Sequence, residues 1–278
     1  MKRRTIFLYA LGIIAVILVG YFLTVHQRMN ITNSNNQYAP LRTNVDGTAT
    51  FTYINSGLGM SSVIETNAGN IIVIDTGTSE NDNLIQYLNG RTITAVVITA
   101  WDDQHAGNIA EVINNCPVKA VYVPESADKT ILASMNNIQT PQYEESFQVD
   151  DVLIKFVDCQ TNNIVPLVTH GMNHILYQGN QSASEASAMI ENNEDMKNID
   201  ITGIILAGNG DNAFYSEDLL KKRPEFVLAN LTLVDQTCSN IDTYVREHDI
   251  NFYNFSYDAS IPLHFTSTGE EIQFIGFE

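Results

Sequence analysis

The sequence predicts an α/β domain, two sheets flanked by helices, preceded by one transmembrane helix. Three observations carry this. Ile6–Val25 is a run of 20 residues without a charge, enough at about 1.5 Å per residue to cross a bilayer core of roughly 30 Å. Short β-rich runs open the rest of the chain, and from about Ala95 strand-like runs alternate with helical spacings, as in layered α/β domains. Of the 278 residues 44% are apolar and 17% charged, which supports a sizeable core and excludes a disordered chain.

Lys2, Arg3 and Arg4 precede the apolar run, so the positive-inside rule places everything after Val25 outside the cytoplasm. The competing reading is a cleaved signal peptide. Its apolar region is normally about 7–15 residues long and ends at small residues, whereas this one is longer and runs into His26, Gln27, Arg28 and Met29. An uncleaved, single-pass anchor in the cell membrane is therefore expected over residues 1–28. Residues 29–48, with Asn33-Ser34-Asn35-Asn36 and no hydrophobic period, read as a flexible tether. Residues 49–278 then form the extracytoplasmic domain. All 32 acidic residues follow residue 30 but only ten of the 14 basic ones do, a net charge of −22 outside the membrane. Such acidity disfavours a nucleic acid as partner, because that affinity rests on cationic contacts and counterion release.

Within the domain, Phe51–Ile54, Ser62–Glu65 and Ile71–Asp75 read as strands, the last two joined by a turn at Asn67-Ala68-Gly69-Asn70. Leu84, Ile85 and Leu88 have helical spacing, and Ala95–Thr99 is a continuous apolar run of the kind buried on both faces. Helices are expected at Ile109–Ile113, Ile131–Met135, Ser182–Asn192, Ser216–Lys222 and around Ile241–Val245. Strands are expected at Ala120–Val123, Val152–Val157, Val165–Thr169, His174–Tyr177, Ile201–Leu206 and Phe226–Leu228, then near Phe252, Leu263 and Ile272. The cysteines Cys116, Cys159 and Cys238 are an odd number without metal-ligand spacing and are expected as buried free thiols.

The segment Ala95–Asn108, Ala-Val-Val-Ile-Thr-Ala-Trp-Asp-Asp-Gln-His-Ala-Gly-Asn, follows a strand ending in Asp75-Thr76-Gly77. A strand ending in Asp-Thr-Gly, then a second ending in Asp-x-x-His-x-Gly, resembles the metallo-β-lactamase superfamily, and the resemblance implies an αββα sandwich with a metal site along the sheet edges. Within the superfamily it is most similar to ComEC-type competence domains. Asn55-Ser56-Gly57-Leu58-Gly59-Met60-Ser61 stands where their opening Asp-Val-Gly-Gln-Gly-Asp-Ser signature lies, Leu176–Asn180 where a strand ends in Thr-Gly-Asp, and Ala207–Gly210 where one ends in His-His-Gly.

Under that resemblance the metal loop His-x-His-x-Asp-His, or with Asp second, falls on Ala100, Asp102, Gln104 and His105. The bridging aspartate falls on Asn180 and the final His-His pair on Gly208 and Asn209. Neutral amides are poor ligands for a dication, so of these positions only Asp102 and His105 keep metal-binding chemistry. Gly57, Gly59, Gly77, Gly107, Gly179 and Gly210 nevertheless stay at the matching turns, where backbone geometry demands them.

Each candidate also has a plain structural role. Asp75 reads as a turn-capping carboxylate, with catalysis as the rival. Asp102, Asp103 and His105 suit a helix start, where exposed N–H groups favour negative charge. Trp101 is either packed on the surface or a plug in the pocket. His170 and His174 flank Gly171 and Asn173, a hairpin turn rather than a helical ligand pair, and Asp211 is a turn residue.

The leading expectation is a catalytically silent metallo-β-lactamase-like domain that needs no cofactor and binds a protein or small ligand at the former active-site face. The second is a metal-dependent hydrolase of phosphodiesters or esters, with Asp75, Asp102, Asp103, His105 and Asp211 around zinc or manganese.

Overall fold

In the computed structural model, which describes residues 43, 45–56, 58–206, 214–230, 239–254 and 262–275, the apolar runs become strands buried on both faces. The expected anchor, most of the tether, Asn209, Asp211 and Cys238 lie outside the described residues. Among the described residues no helix is long and apolar enough to cross a membrane.

The first sheet contains β1 (Ala49–Ser56), β2 (Gly59–Glu65), β3 (Ile71–Ile74), β4 (Ala95–Val97), β5 (Val121–Tyr122) and β6 (Ile138–Gln139), with β14 (Leu263–Ser267) and β15 (Ile272–Ile275) added from the C-terminus. Its order is β15-β14-β1-β2-β3-β4-β5-β6. The second contains β7 (Ser146–Val149), β8 (Val152–Cys159), β9 (Ile164–His170), β10 (Asn173–Tyr177), β11 (Gly203–Ile205), β12 (Phe226–Ala229) and β13 (Asn251–Asn254), in the order β13-β12-β11-β10-β9-β8-β7. Each sheet starts with antiparallel pairs and continues in parallel, at β3-β4-β5-β6 in the first and β10-β11-β12-β13 in the second.

Strand periodicity sorts neighbouring side chains into different layers. Ile72 and Ile74 join Ile154, Val168 and Ile175 in a core between the sheets. Ile71 and Val73 point the other way, onto α1 (Asn83–Leu88) and α3 (Ile109–Asn115), which contribute Leu84, Leu88 and Val112. On the far side, Leu167, Leu176 and Ile204 meet Met189 of α4 (Ala183–Asn192), Leu219 of α6 (Glu217–Leu220) and Ile241 of α7 (Ser239–Glu247). Two short helices, α2 (Asp103–Ala106) and α5 (Glu194–Asn198), complete an αββα sandwich.

Three expectations change. Ile131–Met135 is not a helix but consecutive turns closed by i→i+3 bonds, Leu132 N to Lys129 O and Met135 N to Leu132 O. Asp128 causes it: its side chain accepts from Thr130 N and Oγ1, a local bond that competes with helix formation. The C-terminal end of the tether is tied to the domain, since Thr43 Oγ1 accepts from Gly171 N at 2.7 Å and Asp46 N donates to Asp151 Oδ2 at 3.3 Å. Cys116 is a buried free thiol as expected, whereas Cys159, also free, is only half-buried, at the end of β8 beyond the residues that pair with β7.

Candidate functional site

The C-terminal ends of β3, β4, β10 and β11 lie along one edge, the place where parallel α/β sheets leave room for a ligand. Asp75 follows β3, the Ile98–Asp102 loop and α2 with His105 follow β4, Gly179 and Asn180 follow β10, and Leu206 follows β11. A cavity of about 30 Å³ opens there between Gly59, Ser62, Asp75, Gln104, His105 and Tyr177.

Asp75 holds the edge together. Its Oδ1 accepts from Thr99 N and its Oδ2 from Thr99 Oγ1, both at 2.7 Å, so β3 is clamped to the start of the β4 loop. Burial pushes its carboxyl up to about 6, against the opposing effects of His105 and Thr99. Next along, Thr76 N donates to His105 O at 2.7 Å, fixing the loop's far end. Gly77 then has φ 70, and a Cβ on it would lie 1.9 Å from the Ser56 Cβ. Glycine is required there on both counts.

Asp102 is the N-cap of α2, accepting from His105 N at 3.1 Å, and the same Oδ1 lies 2.6 Å from His105 Nδ1. Burial alone would depress the imidazole, but the Asp102 bond, the charges of Asp75 and Asp102 and a bond to the Gly179 backbone leave its pKa raised. Asp102 is lowered despite burial, by its His105 partner. Its Oδ2 accepts from Asn180 Nδ2 at 3.4 Å, and Asn180 N donates to Asn163 Oδ1 at 2.7 Å.

The structure thus brings together Asp75, Asp102, Gln104, His105 and Asn180. Ala100 is buried beside them in a bridge to Asn163 and offers no donor atom. Asp103 turns away, accepting from Ser79 N and Oγ. Trp101 packs into the layer between the first sheet and its helices and is not part of the cavity wall. His170 and His174 are on a hairpin as expected, and its register, His170 opposite Asn173 and His174 opposite Thr169, sends them to opposite faces. His170 is spent on Ser267 Oγ at 2.8 Å and Asp151 Oδ2 at 3.2 Å. Among the described residues no three His, Cys, Asp or Glu side chains converge as a metal-ligand group.

Sequence reasoning missed Thr99, Asn163 and Tyr177. Thr99 and Asn163 are polar residues at the ends of apolar strands, a signal that was present. Tyr177, whose hydroxyl lies 3.2 Å from that of Tyr53 across the two sheets, was hidden in a strand-like run.

Residues 55–180 match the family model of the metallo-β-lactamase superfamily. Among solved structures, the metallo-β-lactamase fold protein YhfI from Bacillus subtilis superposes with a TM-score of 0.56 at 11% identity, over 75% of this chain and 96% of its own. Igni18, a metallo hydrolase from Ignicoccus hospitalis, gives 0.54 at 13% identity over 83% of this chain and 100% of its own. CmlA, a diiron β-hydroxylase from Streptomyces venezuelae, gives 0.55 at 10% identity over 79% of this chain, which spans 54% of that enzyme. No curated protein sequence matches the chain. The match to the metallo-β-lactamase superfamily model thus spans residues 55–180, and at these identities the likeness to the solved structures is one of fold.

Proposed function

We propose that the chain is a membrane-anchored, extracytoplasmic domain of ComEC-like type, with a degenerate metal motif, that binds a ligand or partner at this edge and does not hydrolyse it. One observation carries the reading: the candidate donors are occupied by one another. Asp102 is engaged by His105 and Asn180, and both oxygens of Asp75 are engaged by Thr99. The superfamily's metal centre calls for imidazoles and carboxylates with free lone pairs. Here Gln104 and Asn180 supply amides and Ala100 supplies nothing, so the described residues do not fit that centre.

The cavity's 30 Å³ has room for about one or two waters. A partner therefore covers the edge rather than entering it, and a protein surface suits that better than a small molecule.

The alternative is a metal-dependent hydrolase using zinc or manganese. It draws support from the mutual electrostatic influence of Asp75, Asp102 and His105, which share one buried field. Elemental analysis of the purified full chain after exposure to each metal distinguishes the two. Binding without hydrolysis predicts far less than one ion per chain and no thermal stabilisation by either metal. Stoichiometric metal, with a stabilisation abolished by His105→Ala or Asp102→Asn, as linkage demands of a true site, would establish the hydrolase reading instead.

A further inference from the structure

Ten basic residues follow residue 30, and four of them, Lys197, Lys221, Lys222 and Arg223, line one groove of about 440 Å³ beyond the C-terminal ends of α5 and α6. Its acidic residues are Asp200, Glu225 and Glu270. The groove is thus net cationic in a part of the chain whose overall charge is −22. It is remote from the candidate site and shares no residue with it.

The four cations are not equivalent. Lys222 Nζ donates to the carbonyls of Lys197 at 2.6 Å and Ile199 at 3.4 Å, joining the two helix ends that form the walls. Lys197 pairs with Glu194, and Lys221 with Glu217 and Asp218, all exposed pairs of the kind worth little and readily exchanged. Arg223 has no ion pair or side-chain hydrogen bond among the described residues. Its backbone is at φ 53, the left-handed region, immediately before the buried Pro224. Side-chain-bearing residues avoid that region, and residues before proline favour extended backbone. A strained residue that carries an unpaired guanidinium into a groove points to something the guanidinium is kept for.

We propose that this groove is an anion site for a phosphate-bearing group. The planar fork of Arg223 matches two phosphate oxygens, and Lys197 and Lys221 supply point charges beside it. Two sources share this chemistry, a phospholipid head group and a free phosphate ester. The groove's position favours the first. Its wall includes Met172, 44% exposed, at the same turn where Gly171 bonds Thr43, so Thr43, the first described residue after the apolar N-terminal run, is held beside the groove. Preference for the head group rests on the anchor reading; the phosphate chemistry does not.

The test uses the full chain in phosphatidylcholine nanodiscs, titrated with inorganic phosphate against chloride at equal ionic strength, with hydrogen exchange read at residues 197–202 and 221–225. Phosphate is expected to protect these segments, with affinity about tenfold lower in the double variant Lys221→Gln, Arg223→Gln. That variant leaves Lys222 in place, and an unchanged melting temperature without phosphate confirms its fold. A second arm replaces the lipid with phosphatidylglycerol and omits phosphate. Protection there, lost in the variant, assigns the site to lipid head groups, and protection by phosphate alone assigns it to a free ligand. Equal protection by chloride together with no difference between the lipids, or an equal response of the double variant in both arms, overturns the proposal. A domain released from membranes would refute the anchor yet leave the phosphate arm standing.

Discussion

Asp75 illustrates how one residue serves geometry at an electrostatic cost. Held at φ 59 with both oxygens on Thr99, it is raised by burial from 3.8 to about 6. A folded state that binds this proton more tightly than the unfolded chain loses stability as pH rises from about 4 to 6, by at most ~3 kcal/mol. His105 acts in the same direction. Its raised pKa makes its contribution full below the ordinary value of 6.5 and lost as pH rises through the folded one. Asp102, being lowered, stabilises above its ordinary value of 3.8 and fails only in acid. Asp75→Asn removes the first effect and weakens the second, so urea unfolding between pH 4 and 8 should give a flatter stability profile than the unmodified chain. An unchanged slope would move the titrating group elsewhere. Gly77 is a steric counterpart. With Ser56 Cβ 1.9 Å from any added Cβ, Gly77→Ala should cost about 2–4 kcal/mol. Ser56→Gly in the same chain should restore part of it, whereas no restoration would show that the positive φ dominates.

At the scale of elements, the C-terminal hairpin closes the first sheet far from its sequence neighbours. Phe265 of β14 stacks on Phe51 of β1 at 4.7 Å and meets Phe226 of the second sheet edge-on at 5.2 Å. Phe265→Ala therefore opens a cavity between the sheets and should cost about 3–5 kcal/mol, whereas the exposed Ile275→Ala should change stability by less than about 0.5 kcal/mol. Comparable losses in denaturant melts would mean that the hairpin is not part of the core. Which elements were legible in the sequence follows from the same packing. Ile71–Ile74 and Ala95–Val97 are unbroken apolar runs because both faces are covered, and Ser182–Asn192 carried its own capping box, Ser182 with Glu185. Two-residue β6 and four-residue α2 are too short to show a period, and Ile131–Met135 had helical spacing that the Asp128 turn overrode. The candidate site was legible where it is local, in Asp75 and Ala100–His105. Asn163 stands at the start of an apolar strand, a local signal, but that it holds Asn180 from across the sheet edge is a long-range contact that only the fold reveals.

On the scale of the whole molecule, charge and hydropathy divide the chain into two unlike parts. Residues 6–25 carry no charge behind three cations, and everything after residue 30 is net −22. A segment with Lys2, Arg3 and Arg4 at its front resists translocation of that front, because the cytoplasmic side retains Lys and Arg. The apolar run, longer than the roughly 7–15 residues of a signal peptide core, meets no small-residue cleavage signal before His26. Thr43 and Asp46 are bonded to the domain, so under the anchor reading residues 26–42 are the stretch available between bilayer and fold, at most about 60 Å if fully extended. The expected outcome is a full-length chain in the membrane fraction, with protease added outside intact cells removing the acidic domain and leaving an N-terminal fragment. A membrane-free form whose N-terminus maps near residue 30 would establish cleavage, and it would remove the ground for preferring a lipid head group at the Lys197–Arg223 groove.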